Sequence, residues 1–188
     1  MVALADLWLP VVLSAVFVFI ASSVIHMLLQ LHKRDFSQLP GEVVVLETLR
    51  AQGVAPGHYT FPRAATMKEM SSPEMVAKME RGPVGLMTVL PSGVPSIARS
   101  LAQWFVFSLV ISLFVAYVAG LALEPGAETQ RVLRIAGTAA ILGYAFAHLQ
   151  EAIWKGLSWR IAFQFFLDGL VYGLVTGATF AWLWPEIG

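Results

Sequence analysis

The sequence contains no cysteine. That excludes disulfides, thiolate zinc sites and cysteine-ligated iron–sulfur clusters. Charge is also scarce: only 13% of the 188 residues are Asp, Glu, Lys or Arg. The twelve basic and twelve acidic side chains cancel, so nothing points to nucleic acid as a partner. There is no Walker loop, dinucleotide fingerprint, HExxH or GxSxG. No catalytic constellation is complete, which argues against an enzyme. Repeats and low-complexity tracts are absent. No Lys or Arg precedes the first apolar run, and Asp6 does. A cleavable leader would start basic and have a shorter apolar core, so this run reads as a retained helix.

Apolar residues are abundant, at 57%. That is the composition of a membrane protein. About 20 apolar residues suffice to cross a bilayer as a helix. Four runs qualify: 7–31, 101–123, 132–154 and 161–184. The expected fold is therefore an all-α integral membrane protein, an antiparallel bundle of four transmembrane helices. It forms one membrane domain, with residues 32–100 as a small cytoplasmic cap lying against the bundle ends.

Within that cap, Glu42 to Gln52 reads as a short amphipathic helix with Val45, Leu46 and Leu49 on its apolar face and Gly53 as its stop. Ser72-Pro73-Glu74 starts a second helix, serine as N-cap and proline in the first turn, ending at Gly82. Tyr59 to Phe61 and Val84 to Leu90 read as two short strands. Such a ribbon is marginal alone.

Orientation follows the basic residues. Of the twelve Lys and Arg, only Arg131 and Arg134 fall in or beside the connection between the second and third spans. The predicted topology puts both termini outside and residues 32–100 in the cytoplasm of a bacterial inner membrane. Trp8, Trp104, Trp154, Trp159, Trp182 and Trp184 fall at span ends, as interfacial anchors.

Small residues recur at every fourth position on two spans: Ser108, Ser112, Ala116 and Gly120, then Gly169, Gly173, Gly177 and Ala181. In lipid, helices are held by close packing rather than by hydrophobicity, and small residues permit it. These ladders suit contacts within the chain, self-association or a membrane-protein partner.

The spans also carry a polar layer. With a rise of 1.5 Å per residue, His26 lies about 8 Å from the inner end of its helix. His148 and Asp168 lie about 10 Å from theirs. Glu151 shares a face with His148, nearer the rim. An ionisable group at such depth should face the bundle and find a partner. The plain reading is hydrogen-bonding glue, with Asp168 paired to His148. The sharper reading is a metal, haem b or proton-relay site formed by His26, His148 and Asp168, with Glu151 as a further candidate ligand. Two histidines at equal depth on co-directional helices resemble bis-histidine membrane cytochromes in that feature. The di-metal bundles require further glutamates and a second Glu-x-x-His, which this chain lacks.

Two features of the loop carry weaker signals. Met67, Met70, Met75, Met79 and Met87 have copper(I)-compatible thioethers, but Met75 and Met79 stand one turn apart and read as a helix's apolar face. His58 reads as a surface turn residue.

The functional expectation is a small accessory or assembly subunit of a larger membrane complex, with no cofactor required. A bundle with a buried metal, haem or proton site is the alternative. A small transporter is the third reading, weakened because neither internal symmetry nor a broken helix is legible.

Overall fold

The computed structural model describes residues 1–187. It is mostly helical, with four helices long and apolar enough to cross a membrane: Leu4–Leu28, Ile97–Ala122, Thr129–Lys155 and Trp159–Trp182. The chain divides into two compact units. The helical unit comprises Met1–Asp35 and Ser96–Gly188, and Phe36–Pro95 forms the second.

In the helical unit the first span is α1 (Trp8–Ser23), preceded by a 3-10 turn at Leu4–Leu7 and followed by a π turn at Val24–Leu28. The expected helix to residue 31 therefore stops early. The π turn loosens the ladder, and Gln30 then takes a left-handed φ of 50°, which directs Leu29–Asp35 out of helical register. The second span, α5 (Ile97–Ala122), begins before residue 101 because Ser96 Oγ caps the Arg99 amide at 3.3 Å.

The third span is not the continuous helix expected. α6 (Thr129–Tyr144) gives way to α7 (Ala147–Lys155) across Ala145 and Phe146. No proline causes this break. It follows Gly143 and falls where the backbone of the fourth span, α8 (Trp159–Trp182), comes closest. A Cβ placed on Gly169 would overlap the Ala145 backbone.

The contacts between helices are pairwise and antiparallel. Along α8, Gly169, Gly173 and Gly177 face Ala145, Ile141 and Gly137 in turn. Three positions spaced four residues apart thus let the α6 and α8 backbones touch. α5 runs against α1: Gly120 faces the Val2 carbonyl, Ser14 Oγ donates to Ser112 Oγ at 2.9 Å, and Trp104 Nε1 donates to Ser22 Oγ at 2.9 Å. α5 also meets α6, where Tyr144 donates to the Ser108 carbonyl at 3.4 Å.

On α5, Ser108 and Ser112 are fully buried beside Val115, Ala116 and Ala119, whereas Phe114 is 63% exposed and Tyr117 52%. Small residues face the neighbouring helices and large apolar side chains point out, as a hydrocarbon solvent permits.

In the second unit, α2 (Glu42–Ala51) leads to strand β1 (Gly57–Phe61), a short α3 (Met67–Met70), α4 (Pro73–Arg81) and strand β2 (Gly85–Val89). The strands pair antiparallel, Gly57 opposite Val89 and Phe61 opposite Gly85. Ser72 Oγ caps α4 by accepting from the Met75 amide at 3.2 Å, and Gly82 ends it with φ +63°. Met75 is buried and Met79 half-buried on the inner face of α4. Lys78 pairs with Glu74 one turn away at 2.9 Å. That bond holds the Glu74 carboxyl below the usual range and raises Lys78. His58 Nδ1 lies 3.1 Å from Thr88 Oγ1 across the ribbon, on the surface. Sequence reading missed only α3, which Thr66 caps through the Glu69 amide.

Candidate functional site: a two-histidine carboxylate centre

The loosened end of α1 creates the site. After Leu28 the chain runs along the first turns of α8. Gln164 Nε2 donates to the Leu31 carbonyl at 3.4 Å, and Arg160 Nη2 to the Arg34 carbonyl at 3.0 Å. A straight helix would carry His32 about 9 Å beyond His26. The turn instead stacks their rings, with centroids 4.5 Å apart and 28° between planes. π turns concentrate at functional sites.

Both imidazoles face one carboxylate. His32 Nε2 lies 2.7 Å from Asp168 Oδ2, and His26 Nε2 lies 3.7 Å from the same oxygen. The other ring nitrogen of His32 is 2.6 Å from Asp35 Oδ2. His32 therefore bridges two carboxylates, one near the membrane-edge turn and one on α8. A doubly protonated ring can donate to both; a neutral ring donates to one and needs a proton or cation at the other.

The centre is enclosed on the Asp35, His32 and Asp168 side and open at His26, whose side chain is 37% exposed. The side chain of Asp35 is 1% exposed, that of Asp168 10% and that of His32 13%. Arg160 Nη1 approaches Asp35 Oδ1 at 3.3 Å, and that oxygen has no hydrogen-bond partner among the described residues. Tyr172 OH lies 3.3 Å from His26 Nε2. The Phe165 ring stacks on His32 at 4.6 Å between centroids.

The expected members are placed unequally. His26 and Asp168 meet, but His148 does not join them: it stacks on Phe165, centroids 4.5 Å apart. Among the described residues it makes no hydrogen bond to Asp168 or His26, so Asp168 has His32 as its partner. His148 lines the same cavity as His26 and Asp168, but the Phe165 ring, which stacks on both His148 and His32, is its neighbour in place of the carboxylate. Glu151 lies outside the centre and pairs with Lys155 at 2.6 Å. His32 and Asp35 are not among the candidate residues read from the sequence. Their spacing, His-x-x-Asp after a histidine six residues upstream, was the available signal.

Beside the centre lies a cavity of about 450 Å³. Five aromatic side chains line it: Trp104, Phe107, Tyr144, Phe165 and Tyr172. Four of them pack edge-on or offset, with centroid separations of 5.6–6.2 Å among Trp104, Phe107, Tyr144 and Tyr172. Its polar groups are His26, Asp168, His148, Ser22, Ser23 and Ser100, with the hydroxyls of Tyr144 and Tyr172. An apolar cavity with a few convergent polar groups is the usual form of a small-molecule site, and helix bundles place such sites between helices.

No family model, no curated protein and no solved structure matches this chain.

Proposed function

We propose that this chain is an integral protein of a bacterial inner membrane, an antiparallel four-helix bundle that binds a lipid-soluble small molecule between its helices. In this reading the termini lie outside and residues 36–95 lie on the cytoplasmic side, as the basic-residue asymmetry favours. The ligand has an apolar, ring-accommodating body and one hydroxyl or carbonyl head. The observation that carries the reading is the ring-walled cavity ending on His26, Asp168 and Tyr172. Rings take the body, and the imidazole, carboxylate and phenol orient the head and exchange protons with it.

The test is extraction. Protein purified in lipid nanodiscs is extracted with organic solvent and compared by mass spectrometry with empty nanodiscs and with Ala147→Trp, in which an indole fills the cavity. The reading expects one species enriched with the native chain and lost in the variant. No enrichment, or equal enrichment in Ala147→Trp, contradicts it.

A second reading is an accessory or assembly subunit. It is favoured by the unit at Phe36–Pro95, which exposes Val43, Val44, Val84, Leu86, Leu90 and Val94. Val43 and Val44 are adjacent on α2, and exposed large apolar side chains of this kind are where a partner docks. On this reading a membrane-protein partner co-purifies in fixed ratio and is lost when Val43 and Val44 become lysine. A monodisperse native chain without such a partner contradicts it.

A further inference from the structure

We propose that His26, His32 and Asp168 hold one divalent first-row transition-metal ion, oriented from behind by Asp35 and Arg160. The site goes beyond the cavity's occupant and stands on different residues except where His26 and Asp168 serve both.

Geometry comes first. One ring nitrogen from each histidine and one Asp168 oxygen all lie within 4.8 Å of one another. Two of these separations are 2.7 and 3.7 Å. A tetrahedral ion with bonds of about 2.0–2.2 Å holds its ligand atoms roughly 3.3 Å apart. The two histidine–carboxylate separations lie within about 0.6 Å of that spacing and the histidine–histidine separation within about 1.5 Å; closing the two rings on one point converts the hydrogen-bonded cluster into a coordination sphere.

The surroundings are of the kind metal histidines use. A ligating imidazole donates its other N–H to a carboxylate, which fixes ring orientation and raises basicity. His32 Nδ1 meets Asp35 in this way at 2.6 Å, and Asp35 in turn faces Arg160. Charge permits a cation. With both rings neutral, the two carboxylates against the one guanidinium of Arg160 leave a net charge of −1. A bare negative charge beside buried carboxylates is costly; a divalent ion replaces it with a single positive charge, which the open side of the site, where His26 is exposed, can share with solvent.

The donor set narrows the ion. Two imidazoles and one carboxylate, without thiolate, suit zinc, iron(II) or cobalt(II) rather than calcium or magnesium, which take oxygen ligands. Three protein ligands leave a position open. His26 and Asp168 both line the cavity, so the open position faces it.

The experiment titrates chelator-stripped native protein in nanodiscs with Co²⁺ and follows the visible ligand-field bands. The proposal expects saturation at one ion per chain. His32→Ala and Asp168→Asn should abolish it, and Asp35→Asn should weaken it by about 10–100-fold. Glu151→Gln, outside both the centre and the cavity, should leave it unchanged. Because the centre variants risk misfolding, X-ray absorption on the native chain loaded with Zn²⁺ supplies a second readout and should show imidazole scattering. No saturable Co²⁺ binding by folded native protein overturns the proposal and leaves a shared proton in the cluster. Binding that survives His32→Ala and Asp168→Asn, or Zn²⁺ without imidazole ligands, overturns it as well. Failure here leaves the organic extraction result untouched, so the two readings fall separately.

Discussion

His32 Nε2 sits 2.7 Å from Asp168 Oδ2, although 136 residues separate them in the chain. The contact exists because α1 does not continue. The π turn at Val24–Leu28 and the left-handed Gln30 bring a residue from the connection alongside α8. Asp35 then closes the other side of the ring. Two carboxylates and two imidazoles thus gather at one end of the helical unit, beside its ring-walled cavity.

The α6–α8 interface yields an asymmetric prediction. A Cβ on Gly177 would lie 2.7 Å from Gly137 Cα, whereas a Cβ on Gly137 meets nothing nearer than 3.8 Å. Gly177→Ala should therefore destabilise by about 1–3 kcal/mol through overpacking. Gly137→Ala should be neutral or stabilising, since alanine gains about 1 kcal/mol of helix propensity. Thermal unfolding in nanodiscs measures both. Equal losses would mean that the two backbones do not meet as described.

Topology is open to labelling. An impermeant thiol reagent applied outside the cell should modify a cysteine placed at Ala127 and spare one at Gln52. The native chain has no cysteine to interfere. The reverse pattern would invert the proposed orientation and put the centre in the outer half of the membrane.

The second unit offers a local test. Ser72 Oγ satisfies the Met75 amide at the start of α4. Ser72→Ala should cost about 1 kcal/mol of local stability. Hydrogen exchange should speed at the first amides of α4 while those of α5 are unchanged. Uniform protection in the variant would remove the cap from the account.

Much of the architecture was legible because the physics was local. Apolar runs announced four long helices, Ser72-Pro73 announced the start of α4, and the β-rich runs announced both strands to within a few residues. The centre was legible in part. Asp168 and His26 stood out as polar groups in apolar spans. His32 did not, because its position depends on a π turn and a positive φ at Gln30, neither of which has a residue signature here. The break at Ala145 was equally silent: it lies at the Gly169 approach, a contact between segments far apart in sequence.

The central claim is that Asp168 is engaged by His32 rather than by His148. A double-mutant cycle tests it, with His32→Ala, Asp168→Asn and the pair, run beside the same cycle on His148, and with unfolding free energy in nanodiscs as the readout. The account predicts a coupling of about 0.5–3 kcal/mol between positions 32 and 168, the range for groups in direct contact, and a coupling near zero between 148 and 168. A coupling near zero at 32 and 168, or the larger value at 148 and 168, would contradict it.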